Sequence, residues 1–125
     1  MKTSLCSAAL ITLAMCGTAL AHHSVAAFDR DNPAVLEGTV KEFKLANPHA
    51  WIYVVVPNEK GGSDVWALEG TAGAGLLRSG YTKYTLKAGE KVSIMIAPRR
   101  DGTPGGEWTR ILSVNGQPMQ LNRQQ

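Results

Sequence analysis

Apolar and polar positions alternate along most of the chain, which predicts short β-strands separated by turns. Residues 49–56, HAWIYVVV, give the strongest strand pattern because they combine β-branched and aromatic side chains. Residues 64–69 follow a Gly-Gly turn, so the two segments predict a hairpin. Residues 91–97 and 108–114 predict two further strands.

A first strand is predicted over residues 35–45, with an irregularity in its middle. Its apolar positions begin with Leu36 and Val40, and Phe43 then stands one residue out of phase. A slip of one residue in a strand that also contains Gly38 is typical of a β-bulge. The pattern therefore predicts a bent first strand.

Residues 71–79 predict a short helix, with Thr71 capping its start and Gly80 ending it. Three strands, a short helix and two more strands follow the order of an OB fold, a five-stranded Greek-key barrel. We therefore expect a mostly β protein, a small OB-like five-stranded barrel with one short helix between strands 3 and 4. A five-stranded β-sandwich is the alternative.

The N-terminus has the pattern of a secretory signal peptide. Lys2 precedes an apolar stretch that is too short to span a bilayer, and Ala19-Leu20-Ala21 provides an A-x-A cleavage site. A lipoprotein signal ending at Cys16 is the alternative, although Met15 fits that pattern poorly. Residues 1–21 are thus predicted to be removed during export.

The mature chain is expected to form one domain. We divide it into an N-terminal leader over residues 22–34, a β-barrel over residues 35–116 and a C-terminal tail over residues 117–125. Both cysteines of the sequence, Cys6 and Cys16, leave with the signal, so no disulfide is expected.

Composition narrows the class of partner. The chain carries 13 Lys and Arg against 10 Asp and Glu, a formal net charge of +3. This balance does not favour nucleic acid or another polyanion. No second apolar span follows the signal, so no membrane span is expected after cleavage.

The three histidines, His22, His23 and His49, are the candidate metal ligands. Cleavage after Ala21 would leave His22 with a free α-amine beside its ring nitrogen, and these two groups can chelate one metal. His49 would supply a third nitrogen, giving the T-shaped site called a histidine brace. Tetragonal nitrogen sites favour Cu(II).

Other interpretations of the histidines stay open. His23 can bind copper through the amine, a backbone amide and its ring, as an alternative to His49. The same residues also fit a solvated chain end without a ligand. The spacings typical of a structural zinc site, His-x-x-His and Cys-x-x-Cys, do not occur in the sequence.

Three aromatic residues, Trp51, Tyr53 and Trp66, form a possible ligand face for a peptide, a glycan or a partner protein. Their placement on predicted strands favours the alternative interpretation, that they are core aromatics of strands two and three. No Ser-His-Asp or Cys-His set can be assembled from the sequence, and Glu37, Glu42 and Glu69 show no paired spacing. We therefore expect a metal carrier or buffer, or a metal-free binding module. An oxidative copper enzyme is the third and least favoured alternative.

The chain resembles a family of small exported bacterial proteins, the domain-of-unknown-function family 6152. The resemblance rests on HHS directly after the predicted signal, FD at 28–29, LEGTV at 36–40, NPHAW at 47–51, WALE at 66–69, LKAGEKV at 86–92 and RDG at 100–102. It implies an exported, periplasmic protein and brings no activity with it. It does place the His-His-Ser start and the Asn-Pro-His element, the two sources of the proposed ligands, in the same proteins.

Overall fold

The computed structural model describes residues 26–121. Six strands and one helix lie in this part of the chain. From the N-terminal side they are β1 (Ala34–Lys44), β2 (Trp51–Pro57), β3 (Ser63–Glu69), α1 (Gly73–Arg78), β4 (Lys91–Pro98), β5 (Gly105–Val114) and β6 (Gln117–Pro118).

The strands form one sheet in the order β3-β2-β1-β4-β5-β6. A parallel pairing between β3 and β5, from Ala67↔Gly105 to Glu69↔Glu107, closes the first five strands into a ring. The short strand β6 pairs with β5 outside this ring. The predicted five-stranded OB-like barrel, with its helix between β3 and β4, is confirmed, and the sandwich alternative is wrong.

The predicted bulge lies in the middle of β1. Its register against β2 shifts between Val40 and Glu42, which leaves Lys41 as the extra residue. The shift turns Val40 and Phe43 toward the same interior although they stand three positions apart. Gly38 packs so closely on β2 that a Cβ there would lie 2.5 Å from the carbonyl oxygen of Val55. A side chain at this position would force the two strands apart.

The interior of the barrel is filled by aliphatic side chains that alternate along the strands. The most deeply buried are Ile52 and Val54 of β2, Leu68 of β3, Ile94 and Ile96 of β4, and Val40 of β1. Burial of such side chains stabilises the fold by roughly 25 cal/mol for each Å² of apolar area removed from water. The alternation predicted for residues 91–97 is the pattern observed in β4, where Val92, Ile94 and Ile96 face inward.

Helix α1 ends as predicted and begins differently. Gly80 has a φ of 93°, and the amides of Gly80 and Tyr81 donate to the carbonyls of Leu77 and Leu76. This is a Schellman ending, which favours glycine. The predicted cap at Thr71 is wrong, because Ala72 occupies the N-cap position without a side-chain hydrogen bond. The Asn47 side chain instead accepts a hydrogen bond from the amide of Ala74.

The predicted tail begins with ordered structure. Asn115 and Gly116 have φ angles of 50° and 78°, and they turn the chain so that Gln117–Pro118 pairs with the end of β5. Met119 then packs against the core. Within residues 26–121, no helix is both long and apolar enough to cross a bilayer.

Candidate functional site

His49 lies at the end of the barrel where β1 and β3 finish and β2 begins. Its neighbour Ala50 is buried and is held by two backbone hydrogen bonds. Ala50 donates to the carbonyl of Thr71 at 2.9 Å and accepts from the amide of Gly70 at 2.7 Å. The backbone at His49 is therefore fixed, while its side chain remains 47% exposed.

One edge of the His49 ring faces two acceptors from the end of β3. Its Nδ1 lies 3.1 Å from the carbonyl oxygen of Gly70 and 3.3 Å from Oε1 of Glu69. The Glu69 side chain is only 16% exposed, so this carboxylate is held against the barrel. Among residues 26–121, Nε2 of His49 forms no hydrogen bond.

The segment that precedes β1 docks beside the end of β4. Phe28 is buried and forms an isolated bridge with Arg99. The amide of Asp29 donates to the carbonyl of Pro98 at 2.8 Å, and that of Arg100 donates to the carbonyl of Ala27 at 2.9 Å. The final part of the predicted leader is therefore attached to the barrel.

The docked leader and Glu69 share an open cleft. The cleft has a volume of about 410 Å³ and is lined by Ala27, Phe28, Glu69, Arg99, Arg100 and Asp101. Strand pairing explains this proximity, because Glu69 lies beside Glu107 of β5, which in turn lies beside Ala97 of β4. The leader therefore docks beside Glu69, whose carboxylate contacts His49.

Two charged side chains of the cleft, Arg100 and Asp101, have partners on the leader or within their own loop. Arg100 lies 3.4 Å from Asp29 and 3.7 Å from Asp31. Asp101 accepts hydrogen bonds from the amide and the hydroxyl of Thr103, and these bonds lower the pKa of the Asp101 carboxyl. The β4–β5 loop is thus a locally paired turn beside the docked leader.

A family model described as a family of unknown function, DUF6152, matches residues 9–108. The chain belongs to this family. No curated protein matches it. Membership confirms the resemblance seen in the sequence and assigns no activity to this DUF6152 protein.

Two of the predicted ligands of the DUF6152 protein, His22 and His23, lie outside the described residues. His23 precedes Ala27 by four residues, and an extended chain spans at most about 3.3–3.6 Å per residue. His23 is therefore within roughly 14 Å of Ala27, which lines the same cleft as Glu69. In the part of the chain that the structure describes, no group of three or more His, Cys, Asp or Glu side chains is placed to hold a metal.

Glu69 is the site residue that sequence reasoning missed. Its spacing from the other glutamates carries no acid–base pattern, so that criterion does not single it out. The useful signal is the predicted hairpin, since Trp51 pairs with Glu69 across it. Counting residues outward from the Gly-Gly turn along both strands would have placed Glu69 beside the segment that carries His49.

The aromatic candidates are divided between two faces of the sheet. Trp51 and Tyr53 lie on the outer face and stack with ring centroids 6.3 Å apart. The Lys44 ammonium lies 5.3 Å from the centre of the Tyr53 ring. Trp66 pairs with the buried Val54 and packs against the core, so it does not share a face with the other two.

Proposed function

We propose that this protein binds Cu(II) through its mature N-terminus and His49, and that it acts as a periplasmic carrier or buffer. The α-amine and ring of His22 would provide two nitrogen ligands and His49 a third, with His23 as an alternative or supplementary ligand. The proposal requires export and cleavage after Ala21, which leaves His22 as the first residue. Tetragonal nitrogen coordination suits Cu(II) and Ni(II), and Cu(II) binds such ligands more tightly.

The observation that carries this proposal is the cleft shared by Ala27 and Glu69. Glu69 contacts His49, and Ala27 lies a few residues after the predicted mature N-terminus. A leader docked at this end of the barrel can return its first residues to His49. A leader docked at the opposite end would be too short for this.

Support also comes from the state of His49 itself. Half of its side chain is exposed, and Nδ1 rather than Nε2 faces the barrel. A histidine whose two ring nitrogens were both bonded to the protein would have no electron pair for a metal. His49 keeps one ring nitrogen available.

The test is the Cu(II) electron paramagnetic resonance spectrum of protein exported and cleaved at its native site, with the first residue established by mass spectrometry. We expect one equivalent of copper and a tetragonal signal with three nitrogen ligands. The matched control has the α-amine of His22 acetylated, which removes that ligand without shifting either histidine along the chain and should abolish the three-nitrogen signal. His49→Ala should remove one nitrogen ligand and weaken binding.

Two results would contradict the proposed site built from His22 and His49. One is an equally weak signal in the native, acetylated and His49→Ala proteins, which would mark the histidines as an unliganded chain end. The other is a three-nitrogen signal that survives His49→Ala and is lost in His23→Ala. In that case the ligands would be the α-amine, a backbone amide and the ring of His23, and His49 would not be a ligand.

The stacked outer pair Trp51 and Tyr53 favours a second candidate function, a metal-free binding module for a peptide, glycan or partner protein. Replacing both residues by alanine should abolish such binding and leave copper affinity unchanged. Trp66 is not part of this test, because its replacement would disturb the core.

A further inference from the structure

We propose that Glu69 is a positioning residue which, with the carbonyl of Gly70, fixes His49 in the tautomer protonated at Nδ1, so that Nε2 is the metal-binding nitrogen. The tautomer is a property of the metal-free protein, whereas its role in ligation rests on the copper function proposed above. Glu69 thereby decides which atom of His49 ligates.

The acceptor chemistry determines the position of the proton. A backbone carbonyl oxygen has no proton to donate, so its hydrogen bond with Nδ1 requires an N–H on the ring. The Glu69 carboxylate lies at 3.3 Å from the same nitrogen and adds a second acceptor. Nδ1 therefore carries the proton of the neutral ring, and the lone pair lies on Nε2.

The backbone that carries these acceptors is held on both sides. Gly70 donates its amide to Ala50 at 2.7 Å, which ties the end of β3 to the residue after His49. On its other side, a Cβ at Gly70 would collide with the indole of Trp108. The Gly70 carbonyl is thus positioned by strand pairing and by a large core side chain, and not by a mobile loop.

Burial makes Glu69 effective in this role. Its side chain is 16% exposed, against 47% for His49, so the carboxylate is the more buried partner of the pair. A hydrogen bond from a ligating imidazole to a carboxylate fixes ring orientation and raises the basicity of the ligating nitrogen. Loss of such a partner typically lowers metal affinity about 10- to 100-fold.

The first test needs no metal. Long-range ¹H–¹⁵N correlation spectra of the metal-free protein, recorded where the imidazole is neutral, assign each ring nitrogen of His49 as N–H or lone-pair bearing. We expect the lone-pair shift at Nε2. A lone-pair shift at Nδ1, or equal averaging of the two, would overturn the inference whether or not the protein binds copper.

The second test measures Cu(II) affinity in Glu69→Gln, which keeps the shape of the side chain and removes its charge. We expect about a tenfold loss of affinity, with the number of nitrogen ligands in the paramagnetic resonance spectrum unchanged. Glu69→Asp should restore part of the loss. The matched control is Glu59→Gln, which makes the same change of charge in the exposed turn at the far end of the β2–β3 hairpin.

The two proposals fail differently. If the native protein takes up no copper, the proposed function is wrong, and the spectrum of the metal-free protein still decides the tautomer. If copper binds with three nitrogens and Glu69→Gln binds it as tightly as the native protein, the function stands and Glu69 is not a positioning residue.

Discussion

Arg30 and Glu107 form an ion pair with two parallel hydrogen bonds, from Nε to Oε1 at 3.1 Å and from Nη2 to Oε2 at 2.5 Å. The pair joins the segment before β1 to the beginning of β5, across 77 positions of sequence. The hydrogen bond with Glu107 raises the pKa of Arg30, a guanidinium that is charged in proteins with or without this partner. The leader is thus held by charge as well as by the burial of Phe28.

Arg30→Ala should lower the midpoint of thermal unfolding slightly. Arg30 reaches solvent, and exposed ion pairs contribute little. The difference from the native protein should shrink further at about 1 M salt, where charges are screened within a few ångströms. Lys60→Ala, in an exposed turn, is the control and should leave the midpoint unchanged at both salt concentrations. A loss that grows with salt would show that the pair is not electrostatic.

Phe28→Ala should destabilise the domain much more. Phe28 is 6% exposed, and truncation of a buried phenylalanine costs about 3 kcal/mol or more. Urea unfolding followed by tryptophan fluorescence measures the change. Val35→Ala, at a position 52% exposed, should stay within about 0.5 kcal/mol of the native value. Equal effects of the two substitutions would mean that the leader is not packed on the barrel in solution.

Gly70→Ala should lower the free energy of unfolding by roughly 1–3 kcal/mol, because its Cβ would meet the Trp108 indole. The same shift should move the Gly70 carbonyl away from His49 and weaken its hold on the ring. Gly62→Ala is the control, since a Cβ there would come no closer than 3.7 Å to Asn58. A Gly70→Ala protein as stable as the control would contradict the close approach of Trp108.

Copper affinity should fall steeply in acid. A free α-amine has an ordinary pKa of about 7.7–8.0 and must lose its proton to ligate. Each unit of pH below neutrality should therefore reduce the apparent affinity about tenfold through the amine alone. Competition with a colourimetric chelator between about pH 5 and pH 8 measures this slope. An affinity independent of pH would exclude the amine as a ligand.

Much of the barrel was predictable because its signals are local. The phase slip between Val40 and Phe43 marks the bulge in β1, and Gly80 marks the end of α1. Each depends on a few consecutive residues. The predicted cap at Thr71 failed because a partner distant in sequence, Asn47, satisfies an amide in the first turn of the helix.

One local signal was overlooked. Asn-Gly between two extended segments is a strong predictor of a tight hairpin, and both residues here take the positive φ that such a turn needs. It would have predicted β6 at the beginning of the assigned tail. The neighbouring segment is polar and short, which favoured its assignment to the tail.

Only part of the candidate site could be predicted from the sequence. His49 was identified from its residue type and its position before a strand, and the structure provides its neighbours Glu69 and Gly70. Which side chains meet at the end of a barrel depends on strand register and ring closure. The parallel β3–β5 pairing brings Glu69 to the leader, and no spacing along the chain encodes it.

Ring closure also predicts an order for the steps of folding. His49 and Gly70 are 21 residues apart and meet through a hairpin, whereas Ala27 meets Arg100 only across nearly the whole barrel. Short loops close at a lower entropic cost, so local contacts form sooner than distant ones. Under the proposed function, the copper site would be complete only late in folding. Copper uptake by a refolding chain would then report completion of the barrel and not formation of the hairpin.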